Sequence, residues 1–398
     1  MFSGRKKINH TTLLGKLYVP LTTVLLFALG NHFVPSLAFD PLTSAQNSRV
    51  SFQAIVEHFQ ALPVNRPDRL TLLMSGNSQT HAIMDAQPED RVTASWLSEF
   101  LNANPPNKLF EVRLRSLPNL TMSELLILLV QSENDSAHRP DVIVAGIALD
   151  GLRWIEPREE YATLARSRPL HENLQNLSKA SPELPHAVQA VSAILSGGRS
   201  ITVAAEPGGA REPLLEQRIL KILNLLPVFQ ARTRLYSRFA YSLQDFRNKF
   251  FGITTATRRK IPPEFYKTNM ELIGLALKFA QIHDVHMVLY AAPLRLVEPN
   301  PYDQGDILRF REELPKLCNQ YGGVCLDYSE LIPEKLWTMY PDDQVAGFGG
   351  QRDYAHFTGK AHQRLARQLK ADMQSDLESW RMKKALQLAQ LGHLTTPK

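Results

Sequence analysis

The sequence predicts an α/β protein built on a parallel sheet of about five strands. Two observations carry that expectation. Short apolar or alternating runs recur along the chain at Arg69-Leu-Thr-Leu-Leu-Met-Ser75, Phe110-Glu-Val-Arg-Leu114, Asp141-Val-Ile-Val-Ala-Gly146, His286-Met-Val-Leu-Tyr-Ala-Ala-Pro293 and Val324-Cys-Leu-Asp-Tyr328. Segments of helical pattern fall between them, at 92–103, 121–132, 263–282 and 308–321, which is the alternation that βα units produce.

Taken in order, residues 50–62 form an amphipathic helix candidate that leads into the first strand. That strand stops at Gly76, where glycine permits a tight turn, so Ser78 sits just past its carboxyl end. The second strand alternates, and the third is a continuous apolar run suited to burial on both faces. After Asp150 the pattern changes. Residues 155–265 hold three or four helical stretches, including 214–225 and 229–250, broken by Ser196-Gly-Gly-Arg-Ser200 and Glu206-Pro-Gly-Gly209, with no strand run. The fourth strand ends at Pro293, the helix at 308–321 contains Pro315, and a last helix starts near Thr358 or Gly359 with Leu365, Leu369 and Met373 at helical spacing.

The organisation expected is therefore a segment 1–40 at the membrane, one discontinuous α/β domain from 41–150 and 265–380, a helical insertion or cap at 151–264, and a tail at 381–398. With 398 residues, 44% of them hydrophobic, the chain is long enough for a substantial core. The net charge of +6 is mild, and the basic runs Arg258-Arg-Lys260 and Arg381-Met-Lys-Lys384 carry no interleaved aromatics, so nucleic acid is not an expected partner. Twelve scattered histidines and two cysteines show no metal-ligand spacing, and neither a metal nor another cofactor is implied. Cys318 and Cys325 are either a disulfide or two buried thiols at a helix-to-strand corner.

Gly76-Asn77-Ser78 and Asp353-Tyr-Ala-His356 together supply a nucleophile, a base and an orienting acid. A carboxylate three residues before a histidine can accept from one ring nitrogen and fix the tautomer, leaving the other nitrogen to take a serine proton. His362 falls inside the last helix and reads as structural. Arg153, Arg295 and Arg309 read as solvated rather than substrate-holding.

On these two blocks the chain resembles the SGNH/GDSL hydrolase superfamily, whose first block is Gly-Asp-Ser and whose last is Asp-x-x-His. The resemblance covers about 69–375, with Asn77 in place of the family's Asp. It implies a three-layer α/β/α sandwich, with Ser78 as nucleophile, His356 as general base and Asp353 as its partner. The middle blocks depart from the family pattern. Asn119 lies nearest the expected glycine of the second block. In Gly146-Ile-Ala-Leu-Asp150, Ala148 occupies the third-block asparagine position and Asp150 is a displaced polar group. The Ser78 N–H, Asn119 and Asp150 are the expected oxyanion-hole members. The chain also looks like the membrane-anchored branch of that superfamily, which O-acetylates exopolysaccharides or passes D-alanine to teichoic acids.

Arg5, Lys6, Lys7 and Lys16 precede an uncharged stretch from Leu17 to Phe39, long enough to cross a bilayer and oriented to place the rest outside. It is either a retained anchor or a signal peptide cut after Ala38. The function expected is an extracytoplasmic, membrane-tethered serine acyl-esterase or O-acyltransferase. Its substrate would be a surface polysaccharide or cell-envelope polymer, with a membrane acyl-donor protein as a further partner. The rival is an inactive SGNH-fold assembly or polymer-binding protein.

Overall fold

The computed structural model describes residues 69–83, 89–103, 109–134, 139–197, 248, 250–297, 300–339 and 350–394. The chain divides into two units, residues 1–46 with 207–252 and residues 47–206 with 253–398, and every helix and strand named below belongs to the second. The expected membrane segment and the helices expected at 50–62, 214–225 and 229–250 lie outside the described residues, apart from Asn248 and Phe250. No helix among the described residues is long and apolar enough to cross a membrane.

Five strands, β1 (Leu70–Gly76), β2 (Phe110–Ser116), β3 (Val142–Ile147), β4 (His286–Ala291) and β5 (Val324–Asp327), form one sheet in the order β2-β1-β3-β4-β5. Every pairing in it is parallel. The apolar runs are continuous because both faces are covered, and successive residues serve opposite cores. Leu73, Ile143, Ala145, Ile147, Met287 and Leu289 face one core, whereas Leu72, Met74, Val142, Val144, Val288 and Tyr290 face the other. β4 stops at Ala291; Ala292 still donates to Ile147, but Pro293 has no N–H with which to extend the ladder.

The first core is closed by α2 (Met122–Asn134), α6 (Pro263–Ile282) and α7 (Gln304–Tyr321), and the second by α1 (Thr93–Leu101) and α8 (Gly359–Leu394). Leu365, Leu369, Met373 and Leu377 of α8 are at most 1% exposed, and burying each contributes about 1.5–3 kcal/mol. Residues 381–394, expected as a tail, continue α8 without a break. Helices α3 (Glu159–Ala165), α4 (Arg168–Lys179) and α5 (Pro185–Ser196), in the stretch expected as an insertion, bury Tyr161, Leu170, Leu174, Ala187 and Val191 in the same core as α2 and α6. Pro315 lies inside α7. Cys318 and Cys325 are joined in a disulfide, with Cα atoms 5.9 Å apart, tying the last turn of α7 to β5.

This strand order matters for function. The chain passes from β1 outward to β2 and then back across β1 to β3, so the loops leaving β1 and β3 diverge and open a crevice at the carboxyl edge of the sheet. A separate antiparallel pair, β6 (Trp337–Met339) and β7 (Arg352–Phe357), brings in the last segment before α8. Phe357 is fully buried and meets Trp337 edge-on at 5.7 Å, which anchors this pair to the second core.

Candidate active site

The turn that carries Ser78 leaves the end of β1 and is closed by its own residues. Gly76 has φ +153°, and a Cβ there would lie 2.7 Å from Thr80 Cγ2 and 3.3 Å from the Gly146 carbonyl. Asn77 is extended, and its Oδ1 accepts from the Gln79 N–H at 3.0 Å, while its carbonyl accepts from the Thr80 N–H at 3.1 Å and from Thr80 Oγ1 at 2.7 Å. These bonds close one 3-10 turn, Ser78–Thr80. Asn77 suits this turn, because its side-chain carbonyl oxygen caps it as an Asp carboxylate would. A turn of three residues has no appreciable macrodipole with which to favour an oxyanion.

The three residues expected to act together are in contact. Ser78 Oγ lies 2.8 Å from His356 Nε2, and His356 Nδ1 lies 2.7 Å from Asp353 Oδ2. Asp353 is fully buried, and its other oxygen accepts from the Ala355 N–H at 2.7 Å. A carboxylate only accepts, so Nδ1 carries the hydrogen and Nε2 presents its lone pair to the serine hydroxyl. The Thr338 hydroxyl donates to the His356 carbonyl at 3.0 Å and holds the backbone of β7 beneath the ring.

The expected oxyanion donors are arranged differently from the triad. The Ser78 N–H has no acceptor among the described residues. Asn119 is exposed, in the left-handed region at φ 51°, and makes no side-chain bond to the triad. It lies in the loop after β2, whose end pairs with Gly76 of β1. Asp150 is a carboxylate held by Arg153 Nη1 at 3.0 Å and by Arg259 Nη1 at 3.0 and 2.8 Å. Burial alone would raise its pKa, but the two guanidiniums hold it below the usual carboxylate range. It is therefore ionised and has no hydrogen to donate to an oxyanion. Ala148, with no polar side chain, is 8% exposed at the start of the loop after β3.

Two histidines near the triad have distinct surroundings. His81, three residues past the nucleophile, pairs through Nδ1 with Ser116 Oγ at 2.8 Å. Burial, then the charge of His356, lowers its pKa. Its proximity to Ser78 in sequence was the available signal, and spacing alone assigned it nothing. His362 accepts the Thr93 N–H at Nδ1, at 3.2 Å, and approaches the Ala82 carbonyl with Nε2 at 3.4 Å. It joins α8 to α1 and to the end of the nucleophile turn, which agrees with its structural reading. Burial pulls its pKa down to about 3. The arginines read as solvated are all paired: Arg153 with Asp150, Arg295 with Glu334, and Arg309 with Asp306 and the Tyr266 ring. Among the described residues no group of His, Cys, Asp or Glu is placed to hold a metal ion.

No protein-family model matches the chain, and no curated protein matches it. Among solved structures it is similar to a GDSL-like lipase from Bacteroides thetaiotaomicron VPI-5482, at 8% identity and TM-score 0.36, over 82% of this chain and 98% of that one. It is also similar to a candidate acylhydrolase from Bacteroides fragilis NCTC 9343, at 10% identity and TM-score 0.37, over 83% of this chain and 98% of that one.

Proposed function

We propose that the chain is a serine acyl-ester hydrolase or O-acyltransferase. The observation that carries this reading is the unbroken chain from Ser78 Oγ through His356 to a fully buried Asp353, at 2.8 and 2.7 Å. In the reaction, Ser78 Oγ forms a bond to the ester carbonyl carbon as its proton passes to His356 Nε2. Asp353 stabilises the resulting imidazolium, and the Ser78 N–H faces the developing oxyanion. The imidazolium then protonates the departing alkoxide, leaving an acyl-serine. Water or an acceptor hydroxyl, deprotonated by His356, attacks that acyl group, and the imidazolium returns the proton to Ser78 Oγ as it leaves. The uncharged stretch Leu17–Phe39 behind a basic flank supports tethering on the outer face of a membrane, and a cell-envelope polymer is the corresponding substrate.

The test is hydrolysis of a small activated acetyl ester by the full-length chain in detergent, with Ser78→Ala as control. A fluorophosphonate probe should add its mass to the Ser78 peptide. Loss of both signals in a folded Ser78→Ala variant is the expected result; activity equal in both proteins would remove Ser78 as the nucleophile. The rival reading, a non-catalytic binding protein, draws on Ala148 standing where the family places a side-chain donor, and it expects no ester turnover and no probe labelling.

A further inference from the structure

The orienting acid and the base both ride on β7, which does not belong to the five-stranded sheet; its ladder among the described residues is with the three residues of β6. Phe357 and Thr338 hold one end of this strand, and further contacts reach it from the segment before α6. The segment 253–262 crosses the same edge of the molecule and is bonded to four different places. The Thr255 N–H donates to Gln351 Oε1 at 3.0 Å, just before β7. The Arg259 N–H donates to the Pro301 carbonyl at 2.6 Å, and Arg258 pairs with Asp303 at the start of α7. The Arg259 guanidinium binds both oxygens of Asp150, in the loop after β3. Its Cζ lies over the ring of Tyr354, 4.4 Å from the centroid; Tyr354 immediately follows Asp353. Tyr302 meets that ring edge-on at 6.2 Å.

We propose that Arg259 is a positioning residue for the acid–base strand: by stacking on Tyr354 while anchored to Asp150, it fixes Asp353 and His356 at bonding distance from Ser78. This rests on the serine mechanism proposed above. The chemistry suits arginine in particular. A single nitrogen, Nη1, reaches both Asp150 oxygens, which leaves the rest of the guanidinium over the Tyr354 ring; a lysine ammonium would supply the charge without a planar group to cover that ring. Asp150 is shared with Arg153, so the anchor keeps a counter-charge if Arg259 is removed, which favours folding of the variant. Tyr354 is 7% exposed and neutral, its phenol pKa raised by burial and then by the nearby Asp150 charge. The contact is therefore ring to cation rather than an ion pair. Displacement of a catalytic group by about 1 Å costs about a hundredfold in rate, so a modest tilt of β7 is enough to be measured.

The experiment uses the full-length chain in detergent and compares wild type with Arg259→Ala, Arg259→Lys and Tyr354→Leu. Turnover of the small acetyl ester should fall about ten- to a hundredfold in kcat in Arg259→Ala and Tyr354→Leu, with KM within about twofold, because nothing that touches the substrate has changed. Arg259→Lys should lose less, and added guanidinium ion should restore part of the activity of Arg259→Ala. The second readout is the low-field proton NMR signal of His356 Nδ1–H, identified by its disappearance in Asp353→Asn. It should broaden or vanish in Arg259→Ala and persist in wild type. Unchanged kcat and an unchanged low-field signal in Arg259→Ala overturn the proposal. If that variant does not fold, Arg259→Lys decides by the same two criteria. A wild type that shows the low-field signal but no ester turnover would instead count against the proposed function, and the NMR comparison would still settle the role of Arg259.

Discussion

His362 is fully buried and held neutral, and this makes the stability of the domain depend on pH in a way that can be calculated. Its pKa is about 3 in the folded chain against 6.5 for an ordinary histidine. At pH 7.5 neither the folded nor the unfolded chain binds a proton there. At pH 5 the unfolded chain binds nearly one, whereas the folded chain binds almost none. Stability is thus unaffected above about pH 6.5 and is lost at about 1.4 kcal/mol per pH unit below it, a loss of about 2 kcal/mol at pH 5. The perturbation is His362→Gln, which removes the titration while keeping an amide oxygen to accept from Thr93 and an NH₂ to donate to the Ala82 carbonyl. All four tryptophans, Trp96, Trp154, Trp337 and Trp380, belong to the unit described above, so their fluorescence in urea reports its unfolding specifically. Between pH 7.5 and pH 5 the wild type should lose about 2 kcal/mol more than the variant. His81 and His286 are also held below their ordinary values, each first by burial, but they contribute equally to both proteins. Parallel pH dependences in wild type and His362→Gln would refute the reasoning.

Further expectations concern the site and its supports. Asp353→Asn should lower kcat on the acetyl ester by about 10³–10⁴-fold, because the amide no longer fixes the His356 tautomer; a loss below tenfold would contradict an orienting role. Gly76→Ala puts a Cβ 2.7 Å from Thr80 Cγ2 at a φ that side chains rarely adopt. It should cost about 1–3 kcal/mol by urea titration and weaken probe labelling of Ser78. Replacing both cysteines by serine opens the loop closed by Cys318–Cys325 and should cost about 2–3 kcal/mol, read from the same titration, with kcat unchanged.

The two strongest elements of the site were legible from local pattern. Gly76-Asn77-Ser78 follows an apolar run that becomes β1, and Asp353 and His356 stand three residues apart, close enough for one carboxylate to meet one ring nitrogen. The oxyanion assignment was less legible. Asp150 carried a donor role by its place in the motif, yet its partners are Arg153, three residues on, and Arg259, more than a hundred residues on. Arg258-Arg-Lys260 shows only its charge along the chain, whereas Arg259 lies against a buried tyrosine. His81 could not be placed at all, because its partner Ser116 belongs to the neighbouring strand.

The sequence by itself determined the strands, the helices between them and the places of Ser78, Asp353 and His356 at element ends, because hydrophobic period and turn chemistry are local and survive as pattern along the chain. Only the tertiary structure decided the strand order that opens a crevice between β1 and β3, the bonding of the two cysteines, and the burial that neutralises His362. It likewise joined Asp150, Arg259, Tyr302 and Tyr354, which come from four separate loops and strands. A charge or a ring acquires its role from what the fold packs against it, and no spacing along the chain records which distant residue that will be.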